Sequence, residues 1–422
     1  MHLPRSTYRV QLHRNFNFRD LKQIIPYLDR LGISTIYAAP FFEATPGSTH
    51  GYDVLNPHRI NPEIGTLEEF REIARDLEAR NMMWLQDIVP NHMAFSARNP
   101  WLYDLMEKGQ HSPYYHFFDI DWLYPEDEFY GKLMIPTLGA PLEEVVAGGE
   151  LKIRLGKQGF NFTYYDHFFP LHMHSYPLLL NTNADSLKQK TSHKALIADY
   201  LELSAEIESF IDGLPDAEKV AEEWEALKRR LMQMVEQHPE IRDMLEEAAE
   251  SQHEKPDLLL KILDRQSYRP THWKLTEKKI NYRRFFTVND LICLNMQEQR
   301  VFDEYHLFIK ELLDEGLIQG LRVDHIDGLL DPATYVERLR KLAGNDTYIV
   351  VEKILEAEEE MPADWPIEGS SGYDFLARVS QLMTDPQAGE PLREMYRKVA
   401  PHYSAYTELV YRNKQFILEE RM

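Results

Sequence analysis

The 422-residue sequence has a single cysteine, Cys293, a shortage of positive charge and no long apolar run. Each shortage removes a class of protein. One thiol excludes an intrachain disulfide and a cysteine-based zinc site, as expected in a reducing compartment; by itself Cys293 reads as an inert buried thiol. The 47 Lys and Arg against 69 Asp and Glu leave a formal charge of -22, which repels nucleic-acid phosphates and anionic membranes. No apolar stretch approaches the ~20 residues of a membrane span, and residues 1–8 lack the apolar core of a secretory signal. A cytoplasmic location, no nucleic acid, no membrane and an uncharged ligand are therefore expected.

What is present is enough apolar residue, 43%, for two or three domains or for one large barrel with an insertion. Residues 7–12 alternate as a strand, and Leu21, Ile24, Ile25, Leu28 and Leu31 follow at helical spacing. Residues 34–39 and 83–89 read as second and third strands, each stopped by proline, with a helix between them that starts at an N-capping Thr66. After Asp87 the rhythm breaks, because one strand-helix unit of a β/α barrel takes about 30 residues and the next comparable strand ends at Asp324. Residues 99–192 are aromatic and irregular, and are read as a loop-rich lid beside a cleft. Residues 193–270 are charged and helical, with Val220, Trp224, Leu227, Leu231, Met234 and Val235 on one stripe. The expected organisation is thus α/β: barrel strands 1–3 in residues 1–98, the two-part insertion, then a return segment and strands 4–6 with following helices in residues 271–422. The sixth strand is placed at residues 365–369, and helix is expected from there to Met422.

Two of these strands end in acids. Gly320-Leu321-Arg322-Val323-Asp324-His325 closes one and Tyr348-Ile349-Val350-Val351-Glu352-Lys353 the next. In a β/α barrel, catalytic side chains project from the C-terminal strand ends, so Asp324 and Glu352 are expected in one cleft, the paired-carboxylate arrangement of glycoside hydrolysis. Arg322 beside Asp324 is expected to keep that carboxylate ionised, while burial and like charge keep a proton on Glu352. His92 and His325 offer polar ring edges for sugar hydroxyls, Tyr52 a face for a sugar ring, and Asp53 and Asp87 are expected to orient Arg322 and those hydroxyls.

The ordered set Asp87-Ile88-Val89-Pro90-Asn91-His92, Arg322 with Asp324, and Glu352 resembles the α-amylase family of retaining glycoside hydrolases. Pro46-Gly47-Ser48-Thr49-His50-Gly51-Tyr52-Asp53, Asn281-Tyr282-Arg283-Arg284-Phe285-Phe286, Val351-Glu352-Lys353-Ile354-Leu355 and Ser371-Gly372-Tyr373-Asp374-Phe375 are similar, within it, to the maltooligosyl trehalose synthases. That resemblance implies an α-amylase-type (β/α)8 barrel, with Asp324 as nucleophile and Glu352 as general acid and base. It implies an intramolecular transglucosylation, in which the reducing-end α-1,4 bond of a maltooligosaccharide becomes α-1,1, with no cofactor. His325, Lys353, Trp273, Arg283 and Arg284 are the candidates for holding the detached glucose.

The family's third carboxylate follows strand seven in a His-Asp motif, and no such segment follows Phe375. The chain is therefore expected to be the N-terminal portion of such an enzyme, with an incomplete barrel that a C-terminal segment completes. A plain α-glucan hydrolase and a non-catalytic glucan-binding fragment are the competing readings. His167, His172 and His174 have spacings that suggest metal ligation, but they lie in an irregular segment and are read as hydrogen-bonding residues. Asn91 alone supplies one oxygen where calcium takes roughly six to eight, so no metal is expected.

Overall fold

The computed structural model describes residues 3–214, 217–253, 255–356, 358–400 and 405–420. They divide into two compact units, one of Met1–Ala94 with Phe285–Met422 and one of Phe95–Arg284.

The first unit is built on a six-stranded sheet of β1 (Thr7–Val10), β2 (Thr35–Ala38), β3 (Met83–Ile88), β4 (Gly320–Val323), β5 (Tyr348–Val351) and β6 (Gly369–Ser370). The spatial order follows the chain order and every pair is parallel. Parallel neighbours need crossover connections; four are supplied by α1 (Phe18–Arg30), α2 (Leu67–Ala79), α3 (Gln299–Asp314) and α4 (Pro332–Ala343). Thr66 caps α2 as the sequence implies, in a reciprocal box with Glu69, and Asn17 with Asp20 does the same for α1. Each box satisfies amide donors that a helix start leaves open. Phe18, Phe41, Phe70 and Trp84 are fully buried and their rings pack in sequence, with Phe70 centred 5.6 Å from Phe18, 5.0 Å from Phe41 and 4.9 Å from Trp84. This aromatic core fastens α1 and α2 to the sheet.

The register decides what the other face of the sheet carries. Arg9 lies beside Tyr37, Tyr37 beside Leu85, Leu85 beside Gly320, and Asp87 beside Arg322. Side chains alternate with period two, so Arg9, Tyr37, Asp87 and Arg322 share one face. Asp324, two beyond Arg322, and Glu352, two beyond Val350, which pairs with Arg322, keep the same parity. Gly320 makes room for the layer beneath: a Cβ there would sit 2.9 Å from Leu85 Cδ1.

The sixth strand forms at Gly369–Ser370 rather than across residues 365–369, because Ile367 N bonds back to Trp365 O and turns the chain. After it come α5 (Tyr373–Leu382), α6 (Gly389–Val399) and α7 (Tyr406–Glu420); Arg421 and Met422, expected in the last helix, lie outside the described residues. Among the described residues β1 and β6 are the edges of the sheet, and Leu382, Met383 and Val399 on the last helices are 84%, 83% and 80% exposed. Apolar groups left this open cover no core in the first unit.

The second unit holds the helices expected between residues 193 and 270, at Lys194–Asp212, Ala217–Gln237, Pro239–Glu250 and Pro256–Asp264. Val220, Trp224, Leu227, Leu231 and Val235 are buried, while Met234 is half-buried. The stretch read as loop-rich is more ordered than expected. Lys152–Gly156, Gly159–Tyr164 and His167–Pro170 form an antiparallel three-stranded sheet, and Leu133–Leu138 pairs in parallel with Tyr268–His272. The signal was the alternation of Phe160, Phe162 and Tyr164, all buried, which a uniformly aromatic background conceals. Among the described residues no helix is long and apolar enough to cross a membrane.

Candidate active site

Arg322, Asp324 and Glu352 meet at the C-terminal end of the sheet in a cleft of about 710 Å³, whose lining also includes Arg9, Tyr37, Tyr52, His92, Phe285 and Tyr373, with Asp87 buried beneath it. Arg322 is the hub. Its Nη1 donates to Asp87 Oδ1 at 3.0 Å and to Asp324 Oδ1 at 2.7 Å, and its Nη2 lies 2.9 Å from Glu352 Oε1. One guanidinium thus serves three carboxylates from three adjacent strands, and it is itself buried, at 6% exposure. Asp87, fully buried, also accepts hydrogen bonds at Oδ2 from Tyr52 Oη (2.7 Å) and Tyr37 Oη (3.1 Å). Glu352 accepts from the His325 amide at 3.0 Å and from Tyr373 Oη at 3.1 Å.

Burial pushes the Asp324 carboxyl up to about 7, with the neighbouring Asp87 charge adding to burial and Arg322 only partly opposing it. Burial also works to raise Glu352, but Arg322, the His325 amide and the Tyr373 hydroxyl outweigh it and hold this carboxyl below its ordinary range. The order is the reverse of the one expected from the strand-end motifs. Arg322 cannot keep Asp324 fully ionised while it is divided among three acids, and the extra donors converge on Glu352. The Asp324 carboxyl therefore keeps its proton to higher pH than Glu352 does. Burial raises Asp87 as well, against the pull of Arg322 and the two tyrosines.

His92 is buried beside Asn91, whose Nδ2 is 3.2 Å from its ring nitrogen, with the Phe285 ring centred 4.5 Å away. His325 adopts a left-handed backbone, φ 49°, which turns the chain sharply after β4. Its ring is centred 4.9 Å from Phe285 and 5.2 Å from Phe286. A Cβ on Gly328 would lie 2.2 Å from His325 Cδ2 and 2.7 Å from Asn91 Oδ1. Gly328→Ala is therefore expected to displace this ring and cost about 1 to 3 kcal/mol, read as a fall in urea midpoint with unchanged m.

Two expected residues are drawn elsewhere. Asp53 does not reach Arg322: its Oδ1 accepts from Ser48 Oγ at 2.5 Å and its backbone oxygen from the Thr45 amide, so it holds the loop that carries Tyr52. Lys353 is held by Asp327 at 3.0 Å and Glu359 at 2.7 Å, because these acids flank it locally. Trp273, Arg283 and Arg284 belong to the second unit; there Trp273 is half-exposed, Arg283 Nε donates to Asp119 at 2.6 Å and Arg284 lies by the Thr276 carbonyl. Also in that unit, His172 and His174 bring ring nitrogens 3.0 Å apart, and burial pushes His172 down to about 3, whereas His167 lies parallel to Phe169 on a strand. Among the described residues no three His, Cys, Asp or Glu side chains are grouped to hold a metal.

Sequence reasoning passed over Arg9, Tyr37 and Tyr373. The first two were readable in part: Arg9 and Tyr37 alternate with the buried Val10, Ile36 and Ala38, and a polar residue on the inner face of a strand points at a site. The family model for the α-amylase catalytic domain matches residues 15–262. The chain belongs to that family. A Mycobacterium tuberculosis protein assigned by name to maltooligosyl trehalose synthase is 29% identical over 405 residues, 94% of this chain and 41% of its own. The solved maltooligosyltrehalose synthase from Arthrobacter ramosus is 31% identical and superposes with a TM-score of 0.70 over 96% of this chain and 42% of its own. A solved DSM5389 glycosyltrehalose synthase is likewise 31% identical, with a TM-score of 0.72 over 98% of this chain and 46% of its own. This α-amylase-family chain thus spans less than half the length of each of these relatives, and its curled parallel sheet is of the α-amylase type.

Proposed function

We propose that the cleft carries out the intramolecular transglucosylation of a maltooligosyl trehalose synthase, converting the reducing-end α-1,4 bond of a maltooligosaccharide to α-1,1 with retention. One observation carries the reading: Asp324 and Glu352, on adjacent strands, are drawn together on one arginine, whose Nη1 lies 2.7 Å from Asp324 Oδ1 and whose Nη2 lies 2.9 Å from Glu352 Oε1. Inverting glycosidases hold their carboxyls ~6.5–9.5 Å apart to admit a water, whereas retaining pairs stand close. Asp324 attacks the anomeric carbon and Glu352 protonates the departing glycosidic oxygen; Glu352 then takes the proton from the C1 hydroxyl of the reoriented glucose as that oxygen displaces Asp324. Bonds broken and formed balance, and no water is consumed.

The inverted proton order sets a requirement. Asp324 must lose its proton and Glu352 gain one before attack, and sugar hydroxyls donating to Asp324 with water displaced around Glu352 act in that direction. Tyr52 supplies the ring face and His92 and His325 the polar edges for the glucosyl unit. Lys353 remains a proposed holder of the detached glucose. The open edge of β6 and the exposed Leu382, Met383 and Val399 support a further polypeptide segment that completes the barrel and brings the third acid.

Product analysis on maltopentaose tests the activity. A non-reducing product of unchanged mass is expected. Shortened reducing sugars would favour a hydrolase of the same family, and saturable binding with no turnover the glucan-binding fragment.

A further inference from the structure

Arg9 Nη2 donates to Tyr52 Oη at 3.1 Å, Tyr52 Oη donates to Asp87 Oδ2 at 2.7 Å, and Asp87 is bound in turn by Arg322, which holds Asp324. A second path leads to the same atom: the Arg9 guanidinium lies 5.5 Å above the Tyr37 ring, and Tyr37 Oη donates to Asp87 Oδ2 at 3.1 Å. The other arm of Arg9 is anchored, because Nη1 donates to Gln11 Oε1 at 3.2 Å and Gln11 Nε2 donates to Thr49 O at 2.7 Å, three residues before Tyr52.

This pattern is unlike that of a cation kept for stability. Among the described residues the hydrogen-bond partners of Arg9 are neutral, a phenol and an amide, although the chain carries a formal charge of -22. A guanidinium bonded to a phenol oxygen polarises its O–H and strengthens the bond that O–H makes onward. The planar fork also fixes direction as well as distance, which an ammonium does not. We propose that Arg9 is a positioning residue for the glucosyl subsite, orienting the Tyr52 ring and the proton that Tyr52 gives Asp87, and so fixing the Asp87–Arg322–Asp324 line against which the sugar binds. The assignment rests on the carbohydrate reading of the cleft.

The test uses the full chain and 1-deoxynojirimycin, a glucose-shaped amine, titrated calorimetrically into wild type, Arg9→Gln, Arg9→Lys, Tyr52→Phe and the double variant Arg9→Gln with Tyr52→Phe. Arg9→Gln should bind about tenfold more weakly, Arg9→Lys should recover only part of that loss because an ammonium lacks the fork, and the double variant should be within about twofold of the weaker single one, because the two residues act in series. Equal affinity for wild type and Arg9→Gln, or losses that simply multiply in the double variant, would overturn the proposal while leaving the carbohydrate site standing. No binding by wild type would remove the site itself, and the proposal with it. If Arg9→Gln does not fold by circular dichroism, the same series relation is read from Arg9→Lys with Tyr52→Phe, where multiplying losses again count against it.

Discussion

Asp324→Asn should abolish turnover in any preparation that converts maltooligosaccharide, by about 10⁴-fold or more, since no other group in the cleft can form the covalent intermediate. The same change should make the protein more stable above neutral pH. Burial and Asp87 raise the Asp324 carboxyl to about 7 in the folded state, above its ordinary value near 4. A carboxyl raised on folding contributes stability that is fully present below the unfolded value and lost as pH rises through the folded one. Asparagine keeps an oxygen for Arg322 Nη1 and never ionises. The melting temperature of Asp324→Asn minus that of wild type should therefore grow from about pH 4 to about pH 7 and level off, by on the order of 4 kcal/mol in stability. A difference that is flat with pH, or that shrinks as pH rises, would show that Asp324 is not the carboxyl that keeps its proton to higher pH.

Arg322→Met should be the most damaging single substitution for the fold. It removes the cation that Asp87, Asp324 and Glu352 share and leaves Asp87 fully buried between two tyrosine hydroxyls. Breaking a buried ion network from one side costs about 3 to 5 kcal/mol, because the partners stay desolvated. The loss should be large at neutral pH and smaller in acid, where the stranded carboxylates take up protons. Urea unfolding at the two pH values measures it; equal losses at both would mean that packing of the arginine stem, not its charge, supports the sheet.

These expectations depend on features with different visibility in the chain. Asp87, Arg322, Asp324 and Glu352 were legible because each lies at or near the end of an apolar strand. Arg9 and Tyr37 were legible only as polar residues on an inner strand face, because their place beside Asp87 depends on which residues of separate strands pair, and register is a tertiary fact. Asp53 and Lys353 carry the right chemistry at positions near the cleft, yet Ser48, Asp327 and Glu359 bind them locally. The proton order was missed for a related reason: the sequence places Arg322 two residues from Asp324, but how many acids share that arginine emerges only when β3, β4 and β5 lie side by side. In the second unit, regular strands from 152 to 170 were hidden by the aromatic composition that made the stretch look irregular.

The double-displacement account is tested most directly by trapping the intermediate. A fluorinated α-glucosyl fluoride, whose leaving group departs without acid help, is incubated with Glu352→Gln, and the protein is digested and its peptides weighed. Attack by Asp324 expels the anomeric fluoride and predicts one added fluoroglucosyl group, in ester linkage, on the peptide containing Asp324, and none in the Asp324→Asn counterpart. A label on a different residue, or steady release of the free sugar from Glu352→Gln with Asp324 unlabelled throughout, would contradict it.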